Sequence, residues 1–375
     1  MSKKVVIALL GSFKFDARCI NMANSLYKNG YNVFIVDELS DNKIFKSDKY
    51  KILHVNTKSK RGIGRYIRFS RSVQDIVYKI RPNIFISGDI FSLRVCSNIN
   101  WNCLKVYDCR ELYSQLSALK DKPIKQFFWE KFEKINYKYV DKVIVTAQKD
   151  RDYLISRYGN KNINIIFNYP NISIKDSSLD LRQKYSISEH KKIFLYQGAI
   201  QAGRGIEEMI KLLLYFEDSV ACIAGEGLFK REIIKISIKL EVEKRVFFTG
   251  NIPYENLISV SQQADIGFAL IQPISQSYKQ ALPNKLFEYG LAGLPTIASD
   301  FVEMKKYINK YNLGIAVNPI NTDEHIRAVN QLLSWNNKEH LINIIKEKCS
   351  WQTQENSFLN IFNQKKYENK HSLFR

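Results

Sequence analysis

No apolar run in this sequence approaches the roughly 20 residues that a membrane-spanning helix needs. Stretches such as VVIALLG (5–11) have the length of a strand. The opening MSKKVVIALLG lacks a long apolar core and a small-residue cleavage site, so we expect a first strand there and a cytosolic protein. Paired cysteines are absent too. The six, at 19, 96, 103, 109, 222 and 349, form no C-x-x-C and have no histidine at zinc spacing. That disfavours a zinc module, and the expectation is reduced thiols, several in the core. The five histidines are scattered singly, with no H-E-x-x-H, so no protein-held metal and no cofactor is expected. G-x-x-x-x-G-K-[ST] is missing, and the first strand runs into GSFKFDAR rather than G-x-G-x-x-G. P-loop enzymes and nicotinamide dehydrogenases are thereby disfavoured.

What is abundant is positive charge. The chain has 57 Lys and Arg against 37 Asp and Glu, a net +20, and the excess is uneven. Residues 1–170 hold 31 basic against 15 acidic residues, whereas 171–375 hold 26 against 22. Basic runs include KSKRGIGRYIRFSR (58–71) and KDKPIKQFFWEKFEK (120–134). Such a surface attracts nucleic acid, anionic headgroups or phosphorylated substrates, although any single run is as well explained by a Lys-rich solvated face.

At 375 residues there is room for two domains. Short continuous apolar runs alternate with helical spacing. Strands are expected at 5–10, 31–36, 51–55, 83–87, 104–108, 142–146 and 163–167. After the polar stretch 167–192 the alternation restarts, with strands at 193–197, 220–224, 246–249, 266–270, 296–298 and 314–317. Continuous rather than alternating runs predict parallel sheets covered on both faces. The fold class is therefore α/β, with two doubly wound domains. We place an N-terminal domain at 1–170, a linker at 171–190, a C-terminal domain at 191–337 and a helical segment at 338–375, which we expect to pack back on the first domain. Ligands of such sheets sit at the carboxyl ends of strands, near switch points.

Three motifs lie at such ends in the second half. FLYQGAIQAGRGIEEMI (194–210) ends a strand at Gly198 and sets Arg204 between Gly203 and Gly205, before a helix. Glycines let a backbone approach a ligand, and Arg forks onto phosphate. A solvated glycine turn is an equally good reading of that motif alone. CIAGEGLFKREI (222–233) places Glu226 between Gly225 and Gly227 after a strand, a weak signal by itself. ALPNKLFEYGLAGLPTIAS (281–299) puts Pro283 at the first helical position, with Lys285 and Glu288 following. The helix start and Lys285 suit an anion. Glu288 can accept from a vicinal diol such as a ribose. Gly290 and Gly293 permit close helix–sheet packing. An ordinary Lys–Glu surface pair is the bland alternative.

Together, in this order and spacing, QGAIQAGRGIEEMI, GEG and ALPNKLFEYGLAGLPTIAS resemble the donor-binding domain of GT-B-fold glycosyltransferases of family 4, the group 1 transferases. The likeness is to members that build capsules and lipopolysaccharide. In the first half, LLGSFKFDARCINMANSLYKNGYNVFIVD resembles the family's first strand, acceptor-side loop and helix. VYDCRELYSQ resembles its D-x-[HR]-E-L segment, and VDKVIVTAQKDRDYLISRYGNKNINIIFNYPN its approach to the hinge. The resemblance implies two Rossmann-like domains facing a cleft. It implies Arg204 on the donor diphosphate, with Pro283, Asn284, Lys285 and Leu286 where backbone and side chain meet it. Glu288 falls at the second Glu of the E-x7-E motif, on the ribose. Gly11, Gly198, Gly203, Gly205 and Glu226 complete the nucleotide-sugar set. The motif's first Glu falls at Gln280, which puts the donor sugar in doubt, and Ala199 and Arg110 replace a frequent Arg and His.

The implied reaction moves a sugar from a nucleotide diphosphate sugar to an acceptor hydroxyl, with Arg204 and Lys285 stabilising charge on the departing phosphate. Family 4 retains anomeric configuration, which implies front-face attack. If a side chain acts as base instead, Asp16, Asp108 and Glu111 are candidates. A helix cap is an equal reading of Asp16, and a surface carboxylate is the bland reading of Glu111. The expected partners are the nucleotide sugar, a lipid-linked or other glycan acceptor, and the inner face of a cytoplasmic membrane met by the basic domain. The rivals are a GT-B sugar-nucleotide epimerase and a nucleic-acid-binding protein. The second lacks RNP-like, zinc-finger and helix-turn-helix signatures.

Overall fold

The computed structural model describes residues 2–39, 47–57, 62–116, 119, 121–173, 179–274, 276–279 and 281–363. Its chain divides into two compact units. One takes the residues up to Asn168 and those described from Gln354 onward. The other takes Tyr169–Thr353.

The first unit is built on seven parallel strands: β1 (Lys4–Ala8), β2 (Asn32–Glu38), β3 (Lys51–Val55), β4 (Ile84–Ser87), β5 (Leu104–Cys109), β6 (Lys142–Val145) and β7 (Asn162–Ile165). Their order is β3-β2-β1-β4-β5-β6-β7, so the winding reverses between β1 and β4. The second unit repeats the plan with β8 (Lys192–Gln197), β9 (Ser219–Ala224), β10 (Val246–Gly250), β11 (Ile266–Ala269), β12 (Thr296–Ser299) and β13 (Gly314–Val317). Here the order is β10-β9-β8-β11-β12-β13, and the reversal lies between β8 and β11. The central strands are buried on both faces. Val5, Val6 and Ile7 in β1, and Ile193, Phe194 and Leu195 in β8, are all fully buried. Helices cover those faces, which is why the strands read as unbroken apolar runs.

Some helices differ from the sequence expectation. Leu181–Tyr185 forms a short helix of the second unit inside the stretch read as linker, capped by Asp180 and anchored by fully buried Leu181. The terminal segment is not one helix. Lys338–Lys348 and Trp351–Asn360 are separate, broken at Cys349 and Ser350, and residues of the expected helix beyond 363 lie outside those described. Lys338–Lys348 packs in the second unit against the helix Lys285–Ala292. A Cβ on Gly290 would lie 2.7 Å from Ile345 Cγ1, so only glycine admits this approach. Pro283 precedes the helix rather than opening it. Lys285 is its first residue and Asn284 its cap, although the Leu286 N–H already bonds back to the Pro283 carbonyl at 3.1 Å.

Candidate functional site

The second unit's reversal point gathers most of the residues singled out above. β8 ends at Gln197, and Gly198 follows with φ +122°. Its N–H donates to Ala224 O, and Ile200 N–H donates to Glu226 O, so the loops after β8 and β9 run side by side. Side chains are excluded from that seam. A Cβ on Gly225 would lie 1.9 Å from Gly198 O, and one on Gly227 2.1 Å from Ile200 O. The G-E-G motif is thus first a packing requirement. Glu226 itself points outward and pairs with Lys230 at 2.8 Å.

Gly203 and Gly205 are both left-handed, at φ +75° and +72°, and press on Ile274 and Leu270. Between them Arg204 lays its guanidinium 4.5 Å from the centre of the Tyr278 ring. Lys285 lies near enough to feel the Arg204 charge. Its Nζ is 3.6 Å from the centre of the Tyr196 ring, and also 3.6 Å from where a Gly198 Cβ would stand. Among the described residues, neither cation has a carboxylate within ion-pair distance. Burial, then the Arg204 charge, pushes Lys285 well below the usual lysine range, and Glu288 offsets only part of this. Two basic side chains without a carboxylate partner, beside a glycine loop, suit an anion, whose negative charge would favour the protonated form of Lys285.

Glu288 sits one turn along the helix, 7% exposed. The buried Gln197 donates its side-chain N–H to Glu288 Oε2, and Ser261 Oγ donates to Gln197 Oε1 at 2.8 Å. The ionised carboxylate can only accept, so it takes the amide nitrogen and leaves the amide oxygen to the Ser261 hydroxyl. Oε1 of Glu288 has no protein donor among the described residues. Burial pushes its pKa up to about 7, despite the Gln197 bond and the Lys285 charge. Leu286 is fully buried, Pro283 and Asn284 are partly exposed, and Gln280 lies outside the described residues.

The first unit's candidates fall into different environments. Asp16 caps the helix Ala17–Lys28 by accepting from Cys19 N–H, and its other oxygen pairs with Arg110. Asp108, fully buried, accepts from Arg18 Nε and Nη2 and from Arg110 Nε. Burial alone would raise its pKa, but the two guanidiniums overcome this and hold it below the ordinary value. A carboxylate saturated by two arginines is structural, so Asp108 is withdrawn as a base. Glu111 is exposed, with no ion pair or side-chain hydrogen bond among the described residues. Gly11 follows β1 at φ +145°, its carbonyl accepting from Glu38 N–H.

Sequence reasoning missed Gln197, Ser261, Arg18 and Asp89. A polar residue closing an apolar strand, in FLYQG, was a readable signal for Gln197. Gly88-Asp89 after β4 was another. Asp89 caps the next helix and accepts from Leu10 N–H, at the first sheet's own reversal point. Among the described residues, no group of three or more His, Cys, Asp or Glu is placed to hold a metal ion.

Paired Rossmann-like domains, one with this cationic loop at its reversal point, define the class as a two-domain α/β fold. Residues 177–348, most of the second unit, match the family described as glycosyl transferases group 1. No curated protein matches the chain. Solved structures with the same fold include the sucrose-phosphate synthase of Thermosynechococcus elongatus (TM-score 0.78, 14% identity, covering 96% of this chain and 98% of that one). WaaG, a glycosyltransferase involved in lipopolysaccharide biosynthesis, is similar at TM-score 0.72 and 16% identity, covering 95% and 99%. Anabaena HepE, in complex with UDP and glucose, is similar at 0.74 and 13%, covering 96% and 99%. The two parallel sheets and these likenesses define the GT-B fold, and the matches cover 95–96% of the chain.

Proposed function

We propose that this chain transfers a hexose from a nucleotide diphosphate sugar to a hydroxyl of a lipid-linked glycan acceptor, in the assembly of a bacterial surface polysaccharide such as capsule or lipopolysaccharide. The observation that carries the reading is the Arg204–Lys285 pair beside Glu288, two cations without an anion next to a carboxylate with an open oxygen. Support for the donor class comes from HepE, which was solved with UDP and glucose. Support for the pathway comes from the likeness to WaaG.

Arg204 and Lys285 hold the diphosphate, with the start of the helix at Lys285 adding backbone N–H groups. Glu288 accepts from the ribose hydroxyls. As the bond from the sugar's anomeric carbon to the phosphate oxygen breaks, both cations stabilise the charge left on that phosphate. Attack comes from the same face, as in family 4, and the acceptor's proton passes to the departing phosphate, so configuration is retained. Gln280 stands where the family's sugar-side Glu would be, and is the residue to vary for donor preference. If a side chain takes the proton instead, Glu111 is the carboxylate left unengaged, and Asp16 would first have to release Arg110. The basic first domain meets the anionic headgroups of the membrane that carries the acceptor, on its cytoplasmic face.

The test is a thermal-shift screen of nucleotides and nucleotide sugars, since a ligand stabilises by its occupancy of the folded state. A nucleoside diphosphate should raise the melting temperature of the wild type and, at the same concentration, raise that of Lys285→Ala much less. Equal shifts in both proteins would remove the site. Incubation with UDP-GlcNAc alone distinguishes the rival epimerase, which would turn it over without an acceptor.

A further inference from the structure

The helix Pro123–Tyr137 carries two apolar faces, and only one is needed for folding. Inward, Tyr137 is buried in the first unit's core and Trp129 and Phe132 pack against it. Outward, Ile124, Phe127, Phe128 and Ile135 form a stripe at helical spacing, and they are 84%, 62%, 50% and 57% exposed. Single exposed apolar residues are ordinary, but a contiguous stripe on one helix marks a docking face. On the helix Gly62–Ile80, whose Tyr66 packs edge-on to Trp129 at 5.8 Å, Ile63 and Ile67 are exposed as well.

Charge says what covers the stripe. Lys125, Lys131 and Lys134 are exposed on the same helix, and Lys131 Nζ lies 5.4 Å from the centre of the Phe127 ring. The helix's two acidic residues are withdrawn. Glu133 is fully buried, accepting from Tyr107 and Tyr158, and Glu130 faces Arg157 at 3.5 Å. An apolar face with lysines on and beside it, and with Asp121 as the exposed acidic residue before the helix, is complementary to a bilayer bearing anionic headgroups. A second copy of this chain would bring its own lysines against these, which disfavours self-association through the face.

We propose that this helix lies in the interface of an anionic membrane, with Phe127 and Phe128 inserted among the acyl chains and the lysines at headgroup level. The proposal deepens the reading of a membrane-borne acceptor given above, and rests on it for its biological purpose. It differs from docking by net charge because it assigns binding to a defined face and part of the affinity to insertion.

The experiment is co-sedimentation of the full chain with vesicles of phosphatidylcholine alone or with about one third phosphatidylglycerol. The wild type should bind the anionic vesicles, and part of that binding should survive about 0.5 M salt, because insertion is not screened. Phe127→Ser/Phe128→Ser should weaken binding about tenfold or more and abolish the salt-resistant part. Lys125→Glu/Lys131→Glu should also weaken it, mainly at low salt. Both variants should keep the wild-type thermal shift with UDP, which shows that they are folded. Wild-type binding by the serine pair, equal sedimentation with neutral vesicles, or a concentration-dependent dimer that the serine pair dissolves would each overturn the proposal. Vesicle binding without any nucleotide shift would instead sink the transferase reading and leave the membrane face standing.

Discussion

Glu288 is a buried carboxylate of which only one oxygen is engaged by a described protein group. Its pKa, raised by burial from 4.5 to about 7, means that the folded protein holds a proton there that the unfolded chain has lost. The stabilising contribution of that bound proton is complete below about pH 4.5 and is lost as pH rises through about 7, a cost of about 3 kcal/mol at higher pH. Glu288→Gln should therefore be at least as stable as the wild type at pH 8, by chemical denaturation, while binding nucleotide much more weakly. Ribose hydroxyls donate best to the ionised form. Wild-type nucleotide affinity should rise through about pH 7, and Gln197→Leu should move that rise to higher pH by removing the bond that favours the anion. A calorimetric titration at several pH values checks both expectations. Arg204→Ala and Lys285→Ala should each weaken nucleoside diphosphate binding by about 10- to 100-fold, the range for a charged hydrogen bond.

The helix Lys285–Ala292 shows how an element serves a site through its packing. Gly290 lets Ile345 approach, and Gly293 ends the helix at φ +71°, where Lys338 leaves no space for a Cβ. Gly290→Val should cost about 1–3 kcal/mol in stability by overpacking, read from a denaturation midpoint. Nucleotide affinity should fall with it, because the helix that carries Lys285 is displaced. In the first unit, Asp108→Asn should cost about 3–5 kcal/mol by leaving Arg18 buried beside a neutral partner. Elements of this kind were partly legible in the sequence. All thirteen strands lie within a few residues of their expected places, because a strand buried on both faces must be apolar throughout. The break at Cys349–Ser350 was not legible, since apolar anchors such as Trp351 and Phe358 continue at helical spacing across it. The role of Asp108 was hidden for another reason. Its partner Arg18 is 90 residues away in the chain, and such a pairing leaves no local pattern. Arg204, Lys285 and Glu288 stand out in the sequence because their charge lies in glycine-rich or apolar surroundings, and the structure brings Arg204 and Lys285 near each other with Glu288 on the same helix as Lys285.

For the molecule as a whole, the two units repeat one winding scheme but divide the chemistry. The second unit holds the matched transferase region and the unneutralised cations. The first carries most of the chain's excess positive charge and the exposed aromatic stripe. No helix among the described residues is long and apolar enough to cross a membrane. A nucleotide should therefore protect amides of the second unit's loops against hydrogen exchange, around Gly198–Gly205 and Pro283–Glu288, and leave those of the helix Pro123–Tyr137 unchanged. Anionic vesicles should do the reverse. The most direct test of the central claim is a calorimetric titration of UDP and other nucleoside diphosphates into the wild type and into the Arg204→Ala/Lys285→Ala double variant, with no acceptor present. The account predicts saturable one-to-one binding to the wild type and none to the double variant at the same concentrations. Undiminished binding to the double variant would contradict it.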